Sequence, residues 1–269
     1  MVRDLCMFSK ADEEAEVIWF RVAYRNTVHS EADITSLFAE KGLDMRFAYL
    51  DSLEDPSRGK YVIFTEVEKG KDVSSIVKEL EELDVVLNVE FGISRNQVMQ
   101  AVDFPLSLFG ERAIILRART FVDILKILNE HVQQAEGIQM LTGIKSGTIA
   151  VKLLREIINI NENNCFDLLK ELFMAAGWGI LEYDIDIHSL KGTITTRDCF
   201  ISDSYKESEV PVCAYVSGFF AGFISEVTKR AVRVRESQCL TTGHISCEHI
   251  VSPAPEGTKI EHVLRRELD

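Results

Sequence analysis

Three cysteines and a glutamate near the end of this 269-residue chain most constrain its fold, with the spacing Cys213-x22-Glu236-x2-Cys239-x7-Cys247. The local pattern places Cys213 in the first turn of a helix. Glu236 and Cys239 flank the end of a strand, and Cys247 begins the next strand after a turn at Gly243. Soft thiolates with one harder carboxylate suit a tetrahedral zinc ion. Such an ion would tie helix, strand and loop together, and it would be structural because four protein ligands leave no open position.

Other interpretations of these residues stay open. A free cysteine often packs in a core as a small apolar residue, although three cysteines beside a turn favour a metal site. Six cysteines in a chain of this length do not form a disulfide scaffold, and reduced thiols agree with metal binding. His244 and His249 are reserve ligands, or else polar surface residues.

Composition limits the class of protein. The chain is 46% hydrophobic and 27% charged, and no apolar run approaches the roughly 20 residues that span a bilayer. No signal segment is recognisable at the start, so we expect a cytoplasmic protein that does not bind membranes. A net charge of −13 argues against direct binding of nucleic acid. A short basic cluster is interpreted as a solvated strand edge: Lys229, Arg230, Arg233 and Arg235.

Residues 16–92 alternate strand and helix patterns. Apolar and β-branched runs predict strands, and Ser30 and Gly42 are placed to begin and end the first helix. The predicted elements are strand 16–23, helix 30–41, strands 45–50 and 61–67, helix 73–80 and strand 85–91. This βαββαβ order predicts a ferredoxin-like, four-stranded antiparallel sheet with two helices on one face.

The order of elements in this first part resembles an ACT domain, and we assign residues 1–95 to it. The resemblance implies a regulatory module that pairs with itself and often binds amino acids between copies. Ligand-binding members carry an acidic residue and a glycine in the first strand-to-helix loop. Here that loop, residues 24–30, has no glycine. A pairing surface is therefore favoured over an amino-acid site.

A short linker, residues 96–104, separates a second domain, residues 105–269. Its helices are expected at 120–128, 138–158, 164–173 and 211–227, and its strands at 112–117, 180–187, 193–202, 231–235 and 245–251. The overall class is α+β, with several helices packed on an antiparallel sheet. Gly143 and Gly147 interrupt the second helical stretch and permit close packing. A phosphate loop is the alternative, but the Walker spacing is missing.

Four short segments of the second domain resemble the 4-vinyl reductase domain, a hydrocarbon-binding domain: residues 177–179, 215–223, 235–239 and 242–247. The resemblance implies a structural zinc on Cys213, Glu236, Cys239 and Cys247, as in phenol-sensing transcriptional activators, where the domain binds aromatic ligands. It also implies a fold shared with dimeric subunits of a vesicle-tethering particle. An ACT domain followed by this domain resembles a set of uncharacterised prokaryotic proteins.

Three functions follow as hypotheses. The first is a homodimeric sensor that holds a small apolar or aromatic molecule next to the zinc and acts through a partner protein. The second is a tetrapyrrole vinyl reductase or its accessory subunit, although no dinucleotide fingerprint, flavin signature or fourth clustered cysteine is found. The third is a ligand-free assembly module. A non-enzymatic role is favoured. The candidate pocket residues are Trp178, Tyr215, Phe219, Phe223 and Val234, which could equally be core.

One further group could be mistaken for a metal site. Asp184, Asp186 and His188 follow one another at alternate positions on a predicted strand. Alternation would place them on one face of the sheet. A solvated strand face is the preferred interpretation.

Overall fold

The computed structural model describes residues 14–52, 55–94 and 106–255. These residues form two compact units that divide between Leu106 and Ser107. The predicted linker, residues 96–104, lies outside the described residues. Within the described ranges, no helix combines the length and apolar character that crossing a membrane requires.

The first unit has the predicted βαββαβ order. Its elements are β1 (Ala15–Arg25), α1 (Ser30–Glu40), β2 (Asp44–Asp51), β3 (Arg58–Glu68), α2 (Ser74–Glu81) and β4 (Val86–Ser94). The strands form one antiparallel sheet in the order β2-β3-β1-β4. Central strand β1 pairs with both β3 and β4, so it organises the unit.

Alternation along β1 builds the core of the first unit. Ile18, Phe20 and Val22 are buried on one face, since side chains two apart point the same way. Helix α1 lays Phe38 on this face, and its ring meets that of Phe20 edge-to-face at a centroid distance of 5.2 Å. The period-2 pattern of β1 and the helical spacing of α1 therefore meet in one apolar layer.

The loop between β1 and α1 is closed by its own side chains. The buried Tyr24 hydroxyl donates to Oε1 of Glu31 at 2.8 Å. Ser30 is the first residue of α1 and not its cap. Its hydroxyl donates to the carbonyl of Arg25 at 2.6 Å and accepts the N–H of Thr27 at 3.0 Å. The serine thus stabilises the loop, which corrects the predicted capping role.

The second unit mixes helices with a second antiparallel sheet. It begins with a short hairpin of two-residue strands, β5 (Ser107–Leu108) and β6 (Glu111–Arg112). The later elements are α3 (Ala118–His131), α4 (Ala135–Leu154), α5 (Cys165–Ala175), β7 (Ile180–Asp186), β8 (Lys191–Arg197), α6 (Phe200–Tyr205), α7 (Ala214–Thr228), β9 (Val232–Gln238), a 3-10 turn (Leu240–Thr242) and β10 (Cys247–Pro253). The sheet order is β7-β8-β10-β9. Helix α7 is almost wholly buried and contacts both α4 and β9.

Three predicted elements of this unit need correction. Residues 112–117 are not a strand: β6 ends at Arg112, and Ile114 is 74% exposed. The strand predicted over 193–202 ends at Arg197, because Asp198 takes a left-handed φ of 51° and α6 follows. Helix α4 continues without interruption through Gly143 and Gly147.

The prediction of close packing at those glycines is confirmed. A β-carbon at Gly143 would lie 2.1 Å from the carbonyl oxygen of Tyr215. At Gly147 it would lie 2.2 Å from that of Phe219. Gly218 on α7 approaches the carbonyl of Met140 in the same way, at 2.1 Å. The backbones of α4 and α7 therefore touch directly, which only glycine allows.

An ion pair ties the carboxyl ends of these two helices together. Arg155, directly after α4, donates from Nη1 to Oε1 of Glu226 at 2.8 Å and from Nη2 to the Glu226 carbonyl at 2.9 Å. The Glu226 side chain is 9% exposed and also pairs with Lys229.

We expect Arg155→Ala to lower the free energy of unfolding by about 1–2 kcal/mol, because two hydrogen bonds to the largely buried Glu226 are lost. The arginine side chain is partly exposed to solvent, which screens its charge and limits the loss. Urea denaturation would measure the change. Lys152→Ala, at an exposed position of α4, is the control and should change it by less than about 0.5 kcal/mol. Equal effects of the two variants would contradict a specific role for the pair.

Candidate functional site

The four predicted metal ligands converge in the second unit. Cys213 immediately precedes α7, Glu236 lies in β9, and Cys239 directly follows that strand. Cys247 is the first residue of β10, which pairs antiparallel with β9. One ligand atom from each residue lies within 4.8 Å of all the others. The chain therefore forms a compact group of side chains that could hold a metal ion.

The sulfur atoms are spaced as a metal would require. Sγ of Cys247 lies 3.9 Å from Sγ of Cys213 and 3.7 Å from Sγ of Cys239. Sulfurs bound to one tetrahedral ion at about 2.3 Å stand about 3.8 Å apart. A disulfide would bring two sulfurs to about 2.05 Å. All three thiols are free.

Glu236 completes the group through its carboxylate. Oε2 accepts the backbone N–H of Cys213 at 2.8 Å, whereas Oε1 is buried without a partner among the described residues. Burial, reinforced by the neighbouring Cys239 thiol, raises the pKa of this carboxyl to about 8. A cation next to Oε1 would give this oxygen a partner and would stabilise the charged form of the carboxylate. The donor set therefore fits a metal ion.

The link between β9 and β10 supports the sulfurs. The hydroxyl of Thr241 donates to Sγ of Cys239 at 3.1 Å, and the N–H of Leu240 donates to Sγ of Cys247 at 3.4 Å. Gly243 ends the 3-10 turn with a left-handed φ of 91°. Hydrogen bonds of this kind stabilise thiolate over thiol.

A fourth cysteine, absent from the predicted ligands, lies next to the group. Cys199 immediately precedes α6 and is 1% exposed. It belongs to the same buried core cluster as the three cysteine ligands, and its thiol raises the pKa of Cys213. Cys165, by contrast, lies in the core at the start of α5, where burial raises its pKa to about 12. Only the fold brings Cys199 to the centre, because no local spacing links it to the other three.

Neither reserve histidine joins the four ligands. His249 is fully buried, its Nδ1 lies 2.8 Å from the Ser217 hydroxyl, and Nε2 has no partner among the described residues. Burial lowers the pKa of His249 to about 4, so its ring is neutral near pH 7. The surface interpretation is wrong for His249 and agrees with exposed His244, whose Nδ1 lies 3.0 Å from the Thr242 hydroxyl.

Four of the five candidate pocket residues contact one another through their rings. Trp178 lies 4.8 Å from Phe219 and 5.8 Å from Tyr215, measured between ring centroids, and Phe219 lies 6.1 Å from Phe223. The fifth, Val234, is buried in the same core on β9. Three further rings extend the group: Phe121 from α3, Phe173 from α5 and Phe200 from α6.

A separate open depression of about 480 Å³ lies beside the metal ligands. Its lining comes from the segment after α6 and from the 3-10 turn: Glu207, Ser208, Glu209, Thr241 and Thr242. A hydrogen bond of 3.1 Å from the Ser208 N–H to the Thr241 carbonyl joins these two segments. None of the five candidate pocket residues contributes to this lining.

The remaining polar clusters have structural partners. Asp186 accepts the His188 N–H at 2.9 Å and the Ser189 hydroxyl at 2.7 Å, which orders the turn after β7. Arg230 donates to the carbonyl oxygens of two residues in that turn, at 2.6 and 2.7 Å. Arg233 and Arg235 alternate with buried residues on edge strand β9. These groups agree with solvated or turn-forming roles.

Comparison with known proteins relates part of the second unit to a family. Residues 193–253 match the family model of the 4-vinyl reductase domain, and this stretch contains all four candidate metal ligands. The predicted resemblance to that domain is confirmed for these residues. No curated protein matches the chain.

Several solved structures are similar to part of this chain. The phenol-responsive sensory domain of the transcription activator PoxR, with phenol, is 22% identical over 58% of this chain and 83% of its own, with a TM-score of 0.48. A vinyl-4-reductase family protein from Methanocaldococcus jannaschii is 17% identical over 54% and 86%, with a TM-score of 0.36. The ACT domain of a Chlorobium tepidum GTP pyrophosphokinase is 13% identical over 29% and 86%, with a TM-score of 0.26.

Proposed function

We propose that this protein is a cytoplasmic ligand-binding regulator whose 4-vinyl reductase domain holds a small apolar or aromatic molecule beside a structural zinc ion. The observation that carries the proposal is the match of residues 193–253 to that domain. This stretch includes the four metal ligands and most of the candidate pocket: Tyr215, Phe219, Phe223 and Val234. The candidate metal centre and the candidate pocket thus belong to one domain.

Zinc is the ion that the donor set favours. Three sulfurs near tetrahedral spacing and one carboxylate oxygen suit its borderline-soft character. The ion would join the start of α7 to β9 and β10, and four protein ligands would give it a structural role. Cys213, Glu236, Cys239 and Cys247 would hold it, and the chain itself supplies the hydrogen bonds to the sulfurs.

The aromatic group supports the choice of ligand. Trp178, Tyr215 and Phe219 offer ring faces and edges that bind another ring by stacking or edge-to-face contact. Ligand sites are mostly apolar, with a few polar groups that set orientation. An apolar or aromatic molecule that separates these rings would be enclosed by residues from α5, α6 and α7.

The first unit would serve as an ACT-like pairing domain, residues 1–95, in a homodimer. Its βαββαβ order supports this role. In the loop where an amino acid would bind, the buried Tyr24 already bonds to Glu31. Output would then pass through pairing or a downstream protein partner.

A ligand-free assembly module is the second candidate. The observation in its favour is the direct contact between Trp178 and Phe219 at 4.8 Å, because these rings complete each other's packing without a ligand. The sensor would therefore require the rings of Trp178 and Phe219 to move apart around a ligand, whereas the assembly module would keep them in contact.

Native mass spectrometry of untagged protein, purified without chelator, tests the proposal. We expect a dimer with one zinc ion per chain and an additional small organic mass. Metal-free protein would contradict the zinc centre. Zinc without an organic mass, together with no change in Trp178 fluorescence on adding naphthalene to a Trp19→Phe variant, would favour the assembly module.

A further inference from the structure

An apolar run, residues 113–116, lies at the surface between the short hairpin and α3. Ile114, Ile115 and Leu116 are 74%, 49% and 50% exposed, although consecutive residues of an extended chain point to opposite sides. Neither side of the run is therefore buried. The helix that follows adds two more exposed apolar side chains, since Ile124 and Ile127, three residues apart on α3, are 54% and 59% exposed.

The backbone of this run is suited to strand pairing. Residues 113–117 belong to no helix or strand and have no positive φ, and Arg117 has extended geometry, with φ −67° and ψ 140°. Directly before the run, β6 pairs with β5 in a sheet of two strands. The other edge of β6 has no partner among the described strands, so a further strand can pair along β6 and the residues that follow it.

Charges protect the edges of the larger sheet in this unit, whereas the apolar run carries none. Edge strand β9 bears Arg233 and Arg235, and edge strand β7 bears Glu182 and Asp184. Charged side chains on an edge strand discourage pairing with another chain. The run has no such protection, because all four of its residues are apolar.

The charges that flank the run favour a second copy of this chain as the partner. In an antiparallel pair centred on Ile114, this residue faces its own counterpart, and Glu111 faces Arg117 at both ends. Opposite charges on directly opposed residues stabilise a strand pair, and like charges destabilise it. A pair centred between Ile114 and Ile115 would instead oppose Arg112 to Arg117. The register centred on Ile114 is therefore preferred.

We propose that residues 111–117 form an antiparallel strand pair between two copies of this chain, with Ile114 at the two-fold axis and Glu111–Arg117 ion pairs at both ends. The pair would join the two hairpins into one four-stranded sheet and would bury the apolar run. This contact lies in the second unit. It is separate from the pairing proposed for the first unit and does not depend on the metal centre.

Disulfide cross-linking of the full chain tests the register. In a Cys6→Ser background the other five cysteines are free and buried, so an introduced surface cysteine can be followed alone. Mild oxidation of Ile114→Cys with diamide is expected to link most of the protein into covalent dimers. The reason is that directly opposed residues have Cα atoms about 4.5–5.5 Å apart, within the range of a disulfide.

Two control variants separate the proposed pair from random collisions. Ile115→Cys has its counterpart on the diagonal of the pair, about 7–8 Å away, which is too far for an unstrained disulfide. Ile245→Cys replaces an isoleucine of the same unit that is 95% exposed and lies outside the run. Both are expected to cross-link about tenfold more slowly than Ile114→Cys.

Exchange of the flanking charges gives an independent measure. Arg117→Glu places like charges opposite each other and is expected to slow the cross-linking of Ile114→Cys about fivefold at low salt. Adding Glu111→Arg restores opposite charges and is expected to restore the rate. Both positions are exposed, so the fold should tolerate the changes.

Equal cross-linking rates at positions 114, 115 and 245 would overturn the proposed strand pair, because the contacts would then be random. Failure of the double charge exchange to restore a rate that Arg117→Glu had lowered would overturn the register with its ion pairs. Neither result would affect the proposed sensor or its zinc centre, which native mass spectrometry tests separately.

Discussion

Cys239→Ser is expected to abolish stoichiometric zinc binding and to lower the free energy of unfolding of the second unit by about 4 kcal/mol or more. For a unit of this size, such a loss corresponds to a drop in Tm of about 10 °C. The physical reason is that the ion would bind the start of α7, β9 and β10 together through four ligand bonds. Without the ion, the sulfurs and the Glu236 carboxylate lie close together in the interior with only hydrogen bonds from neighbouring groups to stabilise them.

Metal analysis and thermal unfolding of the purified variant are the two measurements. Cys165→Ser is the matched control, because it makes the same chemical change at a buried cysteine of the same unit. We expect Cys165→Ser to lower the free energy of unfolding only as much as a change at an ordinary core position does. The variant should keep one zinc ion per chain. A Cys239→Ser protein that keeps both its zinc and its Tm would show that Cys239 is not a ligand.

Much of this fold is predictable because its patterns are local. The alternation of Ile18, Phe20 and Val22 predicts a half-buried strand, and β1 is observed there. The metal group is predictable for the same reason, since Glu236 and Cys239 flank the end of one strand and Cys247 opens the next. Short-range spacing carries the prediction for the strand and for these three ligands, whereas Cys213 lies 23 residues before Glu236.

The features that sequence reasoning misses depend on contacts between distant segments. Cys199 lies in the same core cluster as the three cysteine ligands because α6 packs against the 3-10 turn that follows Cys239. The residues just after β8 have a strand-like pattern, and nothing in the sequence marks Asp198 as left-handed. The apolar run that includes Ile114 has strand composition, yet no described strand pairs with it beyond Arg112.

The aromatic group around Trp178 and Phe219 likewise depends on contacts between distant segments. The helical spacing of Phe219 and Phe223 on α7 is visible in the sequence, but the same stripe predicts a core equally well. Phe121 and Phe200, which complete the cluster, come from helices that the chain brings in separately. The helical spacing in the sequence therefore identifies the side of the candidate pocket that α7 forms. The rings from α3 and α6 join it only through tertiary packing.

Gly147→Ala is expected to destabilise the second unit by about 2–3 kcal/mol, although alanine is the better helix former. In an open helix position this change would stabilise by up to about 1 kcal/mol. Here the new methyl group would lie 2.2 Å from the Phe219 carbonyl oxygen and 2.8 Å from the Phe223 N–H nitrogen, and both are backbone atoms of α7. Backbone cannot rotate away as a side chain can, so the helices must separate.

The separation of α4 from α7 would also reach the candidate pocket, because Phe219 and Phe223 lie on α7 at the point of contact with Gly147. We therefore expect Gly147→Ala to change Trp178 fluorescence in a Trp19→Phe background, in addition to lowering the urea midpoint. Lys145→Ala, at an exposed position of the same helix, is the control and should alter neither by a measurable amount. A Gly147→Ala protein as stable as wild type would contradict direct backbone contact between the two helices, since that contact leaves no room for a methyl group.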